Sequence, residues 1–276
     1  MIDRVGSLID RSKGYHRVTT MTARKEIDRS LLIEGLGKGL RIIELFSDDH
    51  PRLTATEAGS LAGLTRTAAR RYLVSLVHFG YADTDGKHYW LLPSILRLGQ
   101  SYLEAARLPR LVRPFLQRLS MQTGETANLS VLDSHEIVYL ERSNSPRVVS
   151  IGFHPGARTP AHVVSPGFAI LSTFDRTRLE GWIAAHDFSR FTADTLTDVA
   201  AIREKVANAA RLGYSFVNQY IDVGLGGIAA ALFDRHGHCV GAISMTFQLQ
   251  RYPEETALSQ LLPALQDVVK VLREVI

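Results

Sequence analysis

The hydrophobic positions of the chain change from a helical period to an alternating one near residue 80. Ordered structure is expected to begin near Leu31, after a polar stretch of mixed charge. Leu36, Leu40 and Ile43 then recur four and three positions apart, and Phe46 extends this stripe. The spacing predicts an amphipathic helix whose apolar stripe faces the core.

A second, shorter helix is predicted to follow directly. Thr54 and Glu57 have the spacing of a capping box, in which each side chain accepts a hydrogen bond from the backbone amide of the other residue. This signature marks the start of a helix, and we expect Ala58 and Leu61 to face inward from it. The tripeptide Ala-Gly-Leu at 62–64 then predicts a tight turn.

The third helix carries the most informative pattern of the chain. It is predicted to run from an N-cap at Thr65 to about Phe79, and Gly80 is expected to end it. Leu73, Leu76 and Phe79 are expected to belong to its core-facing side.

A hairpin signal follows the third helix. Asp85-Gly86 lies between two short strand-like runs, which is typical of a two-residue β-turn. Helix, short helix, turn, helix and hairpin predict a winged helix-turn-helix at residues 31–92. We expect a linker helix at 93–108 and a flexible N-terminal extension at 1–30.

Residues 109–276 combine strand-like and helix-like runs. The runs TANLSVLD, EIVYLER and RVVSIGF are predicted strands, HPGARTPAH an irregular loop and SPGFAIL a short buried helix. Further helices and three more strands follow, and a helix from about Pro253 closes the chain. The pattern predicts an antiparallel sheet flanked by helices, so the chain as a whole is of the α+β class.

Composition narrows the class of protein. The 276 residues are enough for one large domain or two modest ones, and 45% of them are hydrophobic, as in globular proteins. Cys239 is the single cysteine, which excludes an intrachain disulfide and suits a reducing cytoplasm. No apolar run is long enough to cross a membrane, so no membrane association is expected. The sequence pI of about 9.3 favours an anionic partner.

The third helix bears arginines that have no acidic neighbours. No Asp or Glu occurs between Ala58 and Ala82, although 22% of the chain is charged. Positive charge near a helix N-terminus opposes the helix dipole, so a sequence tuned for stability would favour acids there. In helix-turn-helix proteins this part of the helix reaches base edges in the major groove. The residues predicted to bind DNA are Thr54, Thr65, Arg66, Thr67, Arg70, Arg71 and Lys87.

Two of these interpretations have a simpler alternative. Arginines on an exposed helix can be merely solvated, although the wing and the capped second helix favour DNA binding. For Lys87 and His88, contact with DNA and an ordinary solvated hairpin tip are equally compatible with the sequence.

Signatures of catalysis and of metal binding are weak. His236 and His238 lie at a polar turn with only Asp234 nearby, and no HExxH motif occurs. Cys239 lies in an apolar run, which favours a buried small side chain over a nucleophile. The glycines at 224–227 precede a strand instead of following one, unlike a dinucleotide-binding loop. We therefore predict no enzyme activity, no metal site and no cofactor.

Both halves of the chain carry motifs of one family. Leu36-Gly37-Lys38-Gly39-Leu40, the run LTRTAARRYLVSLVHFGY and the Asp-Gly wing occur in the order found in the IclR family of bacterial transcriptional regulators. In the second half, ARTPAH, SPGFAIL, GYSFVNQ, GLGGIAA and AISMTF also follow the family's order. The chain resembles this family from about Leu31 to its C-terminus. Arg70-Arg71-Tyr72 and Pro51-Arg52-Leu53-Thr54 are most similar to the subgroup that controls aromatic-acid catabolism by the β-ketoadipate pathway.

The resemblance implies a GAF-like C-terminal domain that binds a small organic effector, an aromatic or short-chain carboxylic acid. It also implies a homodimer or tetramer. The predicted partner is a double-stranded DNA operator, and an effector would change either operator affinity or contact with RNA polymerase. The effector-binding residues that it implies are Arg158, His162, Ser165, Pro166, Asn218, Gly227, Ser244 and Thr246. Many relatives have Arg and then Ser or Cys where this chain has Gly226 and Gly227, which predicts a larger or altered pocket.

The sequence thus predicts a cytoplasmic, sequence-specific DNA-binding regulator that responds to an organic acid. The alternative is a small-molecule-binding or enzyme-like domain with a vestigial DNA head.

Overall fold

The chain is described by a computed structural model that covers residues 28–105, 107–144 and 154–276. These residues form two compact units, which divide between Tyr102 and Leu103. Most of the predicted N-terminal extension (residues 1–27) and the predicted strand RVVSIGF (147–153) lie outside the described residues.

The N-terminal unit has the predicted order of helices and strands. Its three short strands form an antiparallel sheet in the order β1-β3-β2. Single 3-10 turns lie at Arg29–Leu31 and Pro93–Ile95. The elements are α1 (Glu34–Glu44), β1 (Leu53–Thr54), α2 (Ala55–Ala62), α3 (Arg66–His78), β2 (Ala82–Thr84), β3 (His88–Leu91) and α4 (Leu96–Ala105).

The local signals that predicted these elements are confirmed. The Thr54 side chain accepts a hydrogen bond from the backbone amide of Glu57, whose carboxylate accepts from the amide of Thr54 at 2.7 Å. Thr65 caps α3 by accepting from the amide of Ala68 at 3.2 Å. Gly80 ends α3 with a φ of 75°, and Gly86 in the hairpin has a φ of 95°. Both glycines adopt a backbone conformation that side chains disfavour.

The predicted core stripe of α1 is wrong. Leu36 and Leu40 are 63% and 47% exposed, whereas Ile42 is fully buried. Gly35 and Gly39 lie against the ring of Tyr72 on α3, because a Cβ at either glycine would be within 3.7 Å of that ring or its hydroxyl. The glycine side of α1 therefore packs inward, and its leucines face outward.

Two other core predictions in this unit are also wrong. Leu61 is 44% exposed, because α2 buries Ala55, Ala58 and Ala62 on a face that Leu61 misses. Phe79 is 65% exposed, since it follows the last turn of α3 and lies off the face that buries Leu73.

The C-terminal unit is an antiparallel sheet between two groups of helices, which confirms the α+β prediction. The sheet has six strands in the order β6-β5-β4-β9-β8-β7. Its elements are α5 (Arg107–Thr123), β4 (Thr126–Asp133), β5 (Glu136–Ser143), β6 (Arg158–Pro160), α6 (Ser165–Leu171), α7 (Arg176–Ala184), α8 (Val199–Leu212), β7 (Ser215–Asn218), β8 (Leu225–Phe233), β9 (Cys239–Gln248), α9 (Glu254–Gln260) and α10 (Leu262–Val275).

Two boundaries differ from the prediction. The loop HPGARTPAH contains strand β6, which pairs with β5 through Thr159 and Ile137. The single C-terminal helix is divided at Leu261, because Pro263 has no amide hydrogen to donate and so begins a new helix, α10.

The sheet is buried on both faces, and the faces differ in chemistry. The α5 face packs against α5, α9 and α10 through Leu129, Ile228, Ile243, Met245 and Phe247. The α6 face, which carries the alternate residues of the same strands, packs against α6, α7 and α8. None of the helices that the structure describes is long and apolar enough to span a membrane.

Candidate functional site

The outer side of α3 presents the cations that the sequence singled out. Arg66, Thr67, Arg70 and Arg71 are exposed, whereas Ala69 and Leu73 are fully buried. Within the described residues, no ion pair involves the three arginines. The first two turns of α3 thus combine free guanidinium groups with a helix N-terminus, and both favour phosphate.

The other predicted DNA-binding residues differ in how far their side chains are available. The Thr54 hydroxyl donates to the Glu57 carboxylate at 2.8 Å, so it is committed to capping α2. The Thr65 hydroxyl is committed to capping α3, where it accepts from the backbone amide of Ala68 at 3.2 Å. Lys87 is exposed at the wing, where Asp85 accepts from its backbone amide at 2.9 Å. Backbone hydrogen bonds from His88 and Lys87 lower the pKa of Asp85 to about 2, so a fixed negative charge lies beside Lys87.

A row of polar side chains crosses the α6 face of the sheet. Arg142 on β5 lies opposite Asn128 on β4, and Asn128 lies opposite Ser244 on β9. In the next row Thr126 lies opposite Thr246, which lies opposite Gly227. Adjacent strands are about 4.8 Å apart, so these groups are immediate neighbours across the sheet.

Two polar side chains of the α6 face, Asn128 and Ser130, are buried and have no hydrogen-bond partner among the described residues. Asn128 is fully buried, and among the described residues neither its Oδ1 nor its Nδ2 has a hydrogen-bond partner. The Ser130 hydroxyl, two positions along the same strand, is in the same condition. A buried unsatisfied group costs about 1–3 kcal/mol, so native proteins retain it where it has a use. Such groups make the α6 face the candidate site for a polar ligand.

Two ionisable side chains lie beside this pair. Tyr139 lies opposite Ser130, and burial raises the pKa of its phenol, so the hydroxyl remains protonated. Burial lowers the pKa of the Arg142 guanidinium. Because the ordinary pKa of an arginine side chain is very high, Arg142 stays charged. The α6 face therefore offers a cation, a phenol, an amide and hydroxyls.

Helix α6 lies directly on this face. A Cβ at Gly227 would be 2.9 Å from the Ser165 hydroxyl and 3.2 Å from Val217, so the absence of a side chain at Gly227 opens no extra space there. Of the larger or altered pocket expected from this glycine, a larger one therefore finds no room on this side, and an altered one stays a prediction. A Cβ at Gly167 would overlap the carbonyl oxygen of Ala161, so α6 also packs tightly on the turn before it.

The structure brings together five of the eight residues implied to bind an effector. Ser165, Gly227, Ser244 and Thr246 share the α6 face, and Pro166 is buried in the first turn of α6.

Three implied residues lie elsewhere. Asn218 is exposed and belongs to the opposite face of the sheet. It pairs with Gly226, whereas the neighbouring pair Val217 and Gly227 lies on the α6 face, and successive residues of a strand point to opposite faces. Arg158 forms ion pairs of 2.7 Å with Asp133 and Glu136 at the β6 edge of the sheet. His162 is buried within a group of histidines and aromatic rings.

Sequence reasoning missed the residues at the centre of the site, namely Thr126, Asn128, Ser130, Tyr139 and Arg142. On β4 the polar residues alternate with Ala127 and Leu129, which is the pattern of a strand with one face in water. This alternation of polar and apolar residues was the signal that the sequence offered for the site. Only the presence of α6 over the polar side distinguishes a ligand site from a solvated face.

Among the described residues, no group of three or more His, Cys, Asp or Glu side chains is arranged to hold a metal ion.

Two family descriptions match the two halves of the chain. Residues 35–86 match the IclR helix-turn-helix domain. Residues 100–273 match the bacterial transcriptional regulator IclR C-terminal domain.

Individual proteins are similar over 62% to 91% of the chain. The p-hydroxybenzoate hydroxylase transcriptional activator of Acinetobacter baylyi is 35% identical over 257 residues, which cover 91% of this chain and 95% of the relative. A crystal structure of an IclR homolog complexed with 4-hydroxybenzoate, from Microbacterium hydrocarbonoxydans, is 27% identical with a TM-score of 0.69, covering 87% of this chain and 99% of that one. The inducer-binding domain of the Acinetobacter PobR transcription factor, as a double mutant complexed with 3-hydroxybenzoic acid, is 31% identical with a TM-score of 0.59, covering 62% of this chain and 100% of the domain.

Proposed function

Because the chain belongs to the IclR family of bacterial transcriptional regulators, we propose that it controls a gene for aromatic-acid breakdown in response to a hydroxybenzoate. The chain is a DNA-binding regulator with a separate effector-binding domain. The finer assignments are the ligand, the contact residues and the assembly. The first two are argued from the two sites described above, and the assembly is argued from exposed apolar residues on α1 and α4. In this proposal the protein acts on DNA in the cytoplasm and has no catalytic role.

The observation that carries the effector assignment is the orphaned pair Asn128 and Ser130. A hydroxybenzoate combines a carboxylate with a phenol on one flat ring, so it needs a cation at one end and neutral donors and acceptors at the other. Arg142 and Asn128 supply these in one row, and Ser130 and Tyr139 supply hydroxyls in the next. The polar groups of the ligand would satisfy the buried atoms that the described residues leave unpaired.

The DNA assignment rests on the exposed face of α3. Arg66, Thr67 and Arg70 are proposed to read base edges, and Arg71 to contact phosphate. A gel shift at moderate salt, with DNA from upstream of the protein's own gene, tests this assignment. We expect Arg70→Ala to weaken binding without changing the unfolding temperature, whereas Arg118→Ala, an exposed arginine of the other unit, serves as the control. Equal losses in both variants would contradict it.

Apolar residues on α1 and α4 support a homodimer. Leu36 and Leu40 on α1, and Leu96, Leu98 and Tyr102 on α4, are all exposed within one unit. Exposed apolar groups of this kind are typical of an interface between subunits. A dimer would present two α3 helices to the two halves of a palindromic operator. A tetramer formed from two such dimers, and contact with RNA polymerase, would be further levels of the same assembly.

Titration calorimetry with 4-hydroxybenzoate tests the effector assignment. The wild-type protein should bind it, and Asn128→Leu should lose most of that affinity while remaining folded. Exposed Asn218 on the opposite face provides the matched control, because Asn218→Leu should bind normally. If Asn128→Leu binds as tightly as the wild type, the α6 face is not the effector site.

A further inference from the structure

Three histidines from separate segments meet at one end of α6. His135 lies in the turn between β4 and β5, His162 in the turn before α6, and His186 after α7. The His186 ring stacks on Trp182 with ring centres 4.4 Å apart, and on His135 at 4.9 Å. We call His135, His162 and His186 the histidine cluster.

The hydrogen bonds of the cluster determine where its protons are. His162 Nε2 lies 2.9 Å from the carbonyl oxygen of Ser189, which can only accept, so this nitrogen carries the hydrogen. His162 Nδ1 is then the acceptor in the 2.7 Å bond to His186 Nε2. In the same way, His135 Nε2 donates to the carbonyl oxygen of Trp182 at 3.1 Å. All three imidazoles can be neutral with every one of these bonds satisfied.

An additional proton disrupts this arrangement. On His162 Nδ1 it would meet the N–H of His186, and on His186 it would place a charge on a largely buried ring, at a cost in desolvation. Burial lowers the pKa of all three histidines, and for His186 the neighbouring His162 and His135 lower it further. A folded cluster therefore excludes protons that the free side chains would bind below about pH 6.5.

Acidic groups near the cluster do not offset this effect. Glu136 and Asp133, which flank His135, are both paired with Arg158. Asp187, next to His186, is exposed, and it raises the pKa of His162 less than burial lowers it. Arg190, on the same loop, bonds to the carbonyl oxygen of Ala193 and to Thr197.

The loop at 185–197 is attached on both sides of α6, on one side by the cluster and on the other by two threonines. On one side His162 holds Ser189, and its turn supports α6 at Gly167, where no Cβ fits. On the other side Thr192 and Thr195 donate to the carbonyl oxygens of Gln219 and Tyr220, each at 2.6 Å. The Tyr220 ring packs edge-on against Phe168 of α6.

We infer that His162 and His186 are positioning residues that hold α6 over the effector face, and that their protonation at mildly acid pH releases α6 and weakens effector binding. This inference rests on the proposed effector site for its functional consequence. The sign follows from linkage: the folded cluster stays neutral, so its stabilising contribution is complete above about pH 6.5 and is lost as the pH falls below that value.

The test measures 4-hydroxybenzoate affinity of the full chain by calorimetry between about pH 8 and about pH 5.5, a range in which a carboxyl group with a pKa near 4 stays ionised. The variant His162→Gln/His186→Phe keeps a donor toward Ser189 and a ring on Trp182 but cannot be protonated. His236→Gln, a surface histidine outside the cluster, is the control. Below about pH 6.5 the wild type and the control should lose up to about tenfold in affinity per pH unit for each histidine released, while the double variant stays nearly constant.

A second measurement keeps the inference testable if the ligand is wrong. Hydrogen exchange of the α6 backbone amides, without ligand, should be faster in the wild type than in the double variant at about pH 5.5 and similar near pH 8. If the double variant does not fold, His186→Phe alone replaces it. Absence of binding at every pH would reject the proposed effector but leave the exchange result to decide. Equal exchange and equal pH profiles in wild type and variant would overturn the inference.

Discussion

The two faces of the six-stranded sheet are equally buried but built differently. On the α5 face, Leu129, Ile243 and Met245 form a continuous apolar layer. On the α6 face, one residue away on the same strands, Asn128 and Ser244 are as deeply enclosed. Burial alone thus does not separate core from site. The separating property is whether the polar groups are satisfied, and no described residue satisfies those of Asn128 and Ser130.

The largest expected effect lies on the apolar face. Leu129→Ala removes a fully buried side chain between β4 and the helices, and should lower the free energy of unfolding by about 2–5 kcal/mol. Effector affinity, corrected for the folded fraction, should remain near the wild-type value. Urea denaturation with and without 4-hydroxybenzoate measures both quantities. A stable Leu129→Ala variant that cannot bind would remove the distinction between the faces.

A smaller effect is expected at the contact between α6 and the sheet. In Gly227→Ala the new methyl group would press on the Ser165 hydroxyl, which should cost about 1–3 kcal/mol of stability. Ser165→Gly in the same chain should recover much of that loss by removing the obstructing side chain. A double-mutant cycle in thermal denaturation checks this coupling. Additive losses would mean that Ser165 and Gly227 do not constrain each other.

The smallest effect on stability, and the sharpest contrast, is expected at Asn128. Asn128→Leu places a similar volume of apolar atoms where two polar atoms lack partners, so stability should rise or change by less than about 1 kcal/mol. The stabilisation of the protein by 4-hydroxybenzoate should disappear at the same time. Thermal denaturation with and without ligand tests this prediction. A loss of several degrees without ligand would show that Asn128 is a structural residue.

Local chemistry explains which parts of the fold could be predicted from sequence. The capping pair Thr54 and Glu57, the N-cap Thr65 and the hairpin glycine Gly86 act through atoms a few residues apart, so their spacing is sufficient. Which side of α1 packs against the core depends instead on a residue that is distant in sequence. The ring of Tyr72 packs against the side of α1 that carries Gly35 and Gly39. The helical period of the sequence does not reveal which of two apolar stripes another helix will cover.

The candidate site was predictable only in part for the same reason. Ser244 and Thr246 follow from the resemblance to a family, whereas Asn128 and Ser130 have the alternation of an ordinary half-exposed strand. Their burial depends on α6, about 35 residues later in the chain. His162 shows the opposite case, because a residue implied to bind ligand lies in a hydrogen-bonded cluster beside the helix that covers the site.

The close approach of Gly167 to Ala161 has a consequence for how this chain tolerates sequence change. A side chain at 167 would meet a backbone carbonyl, which no change of rotamer can move aside, whereas one at 227 would meet the hydroxyl tip of Ser165. In a saturation survey of variants, position 167 should therefore accept glycine alone. Position 227 should accept alanine in backgrounds with a smaller residue at 165. The first turn of α6 is thus constrained by backbone at Gly167, whereas two positions earlier, at Ser165, its contact with the sheet is open to adaptation by paired substitutions.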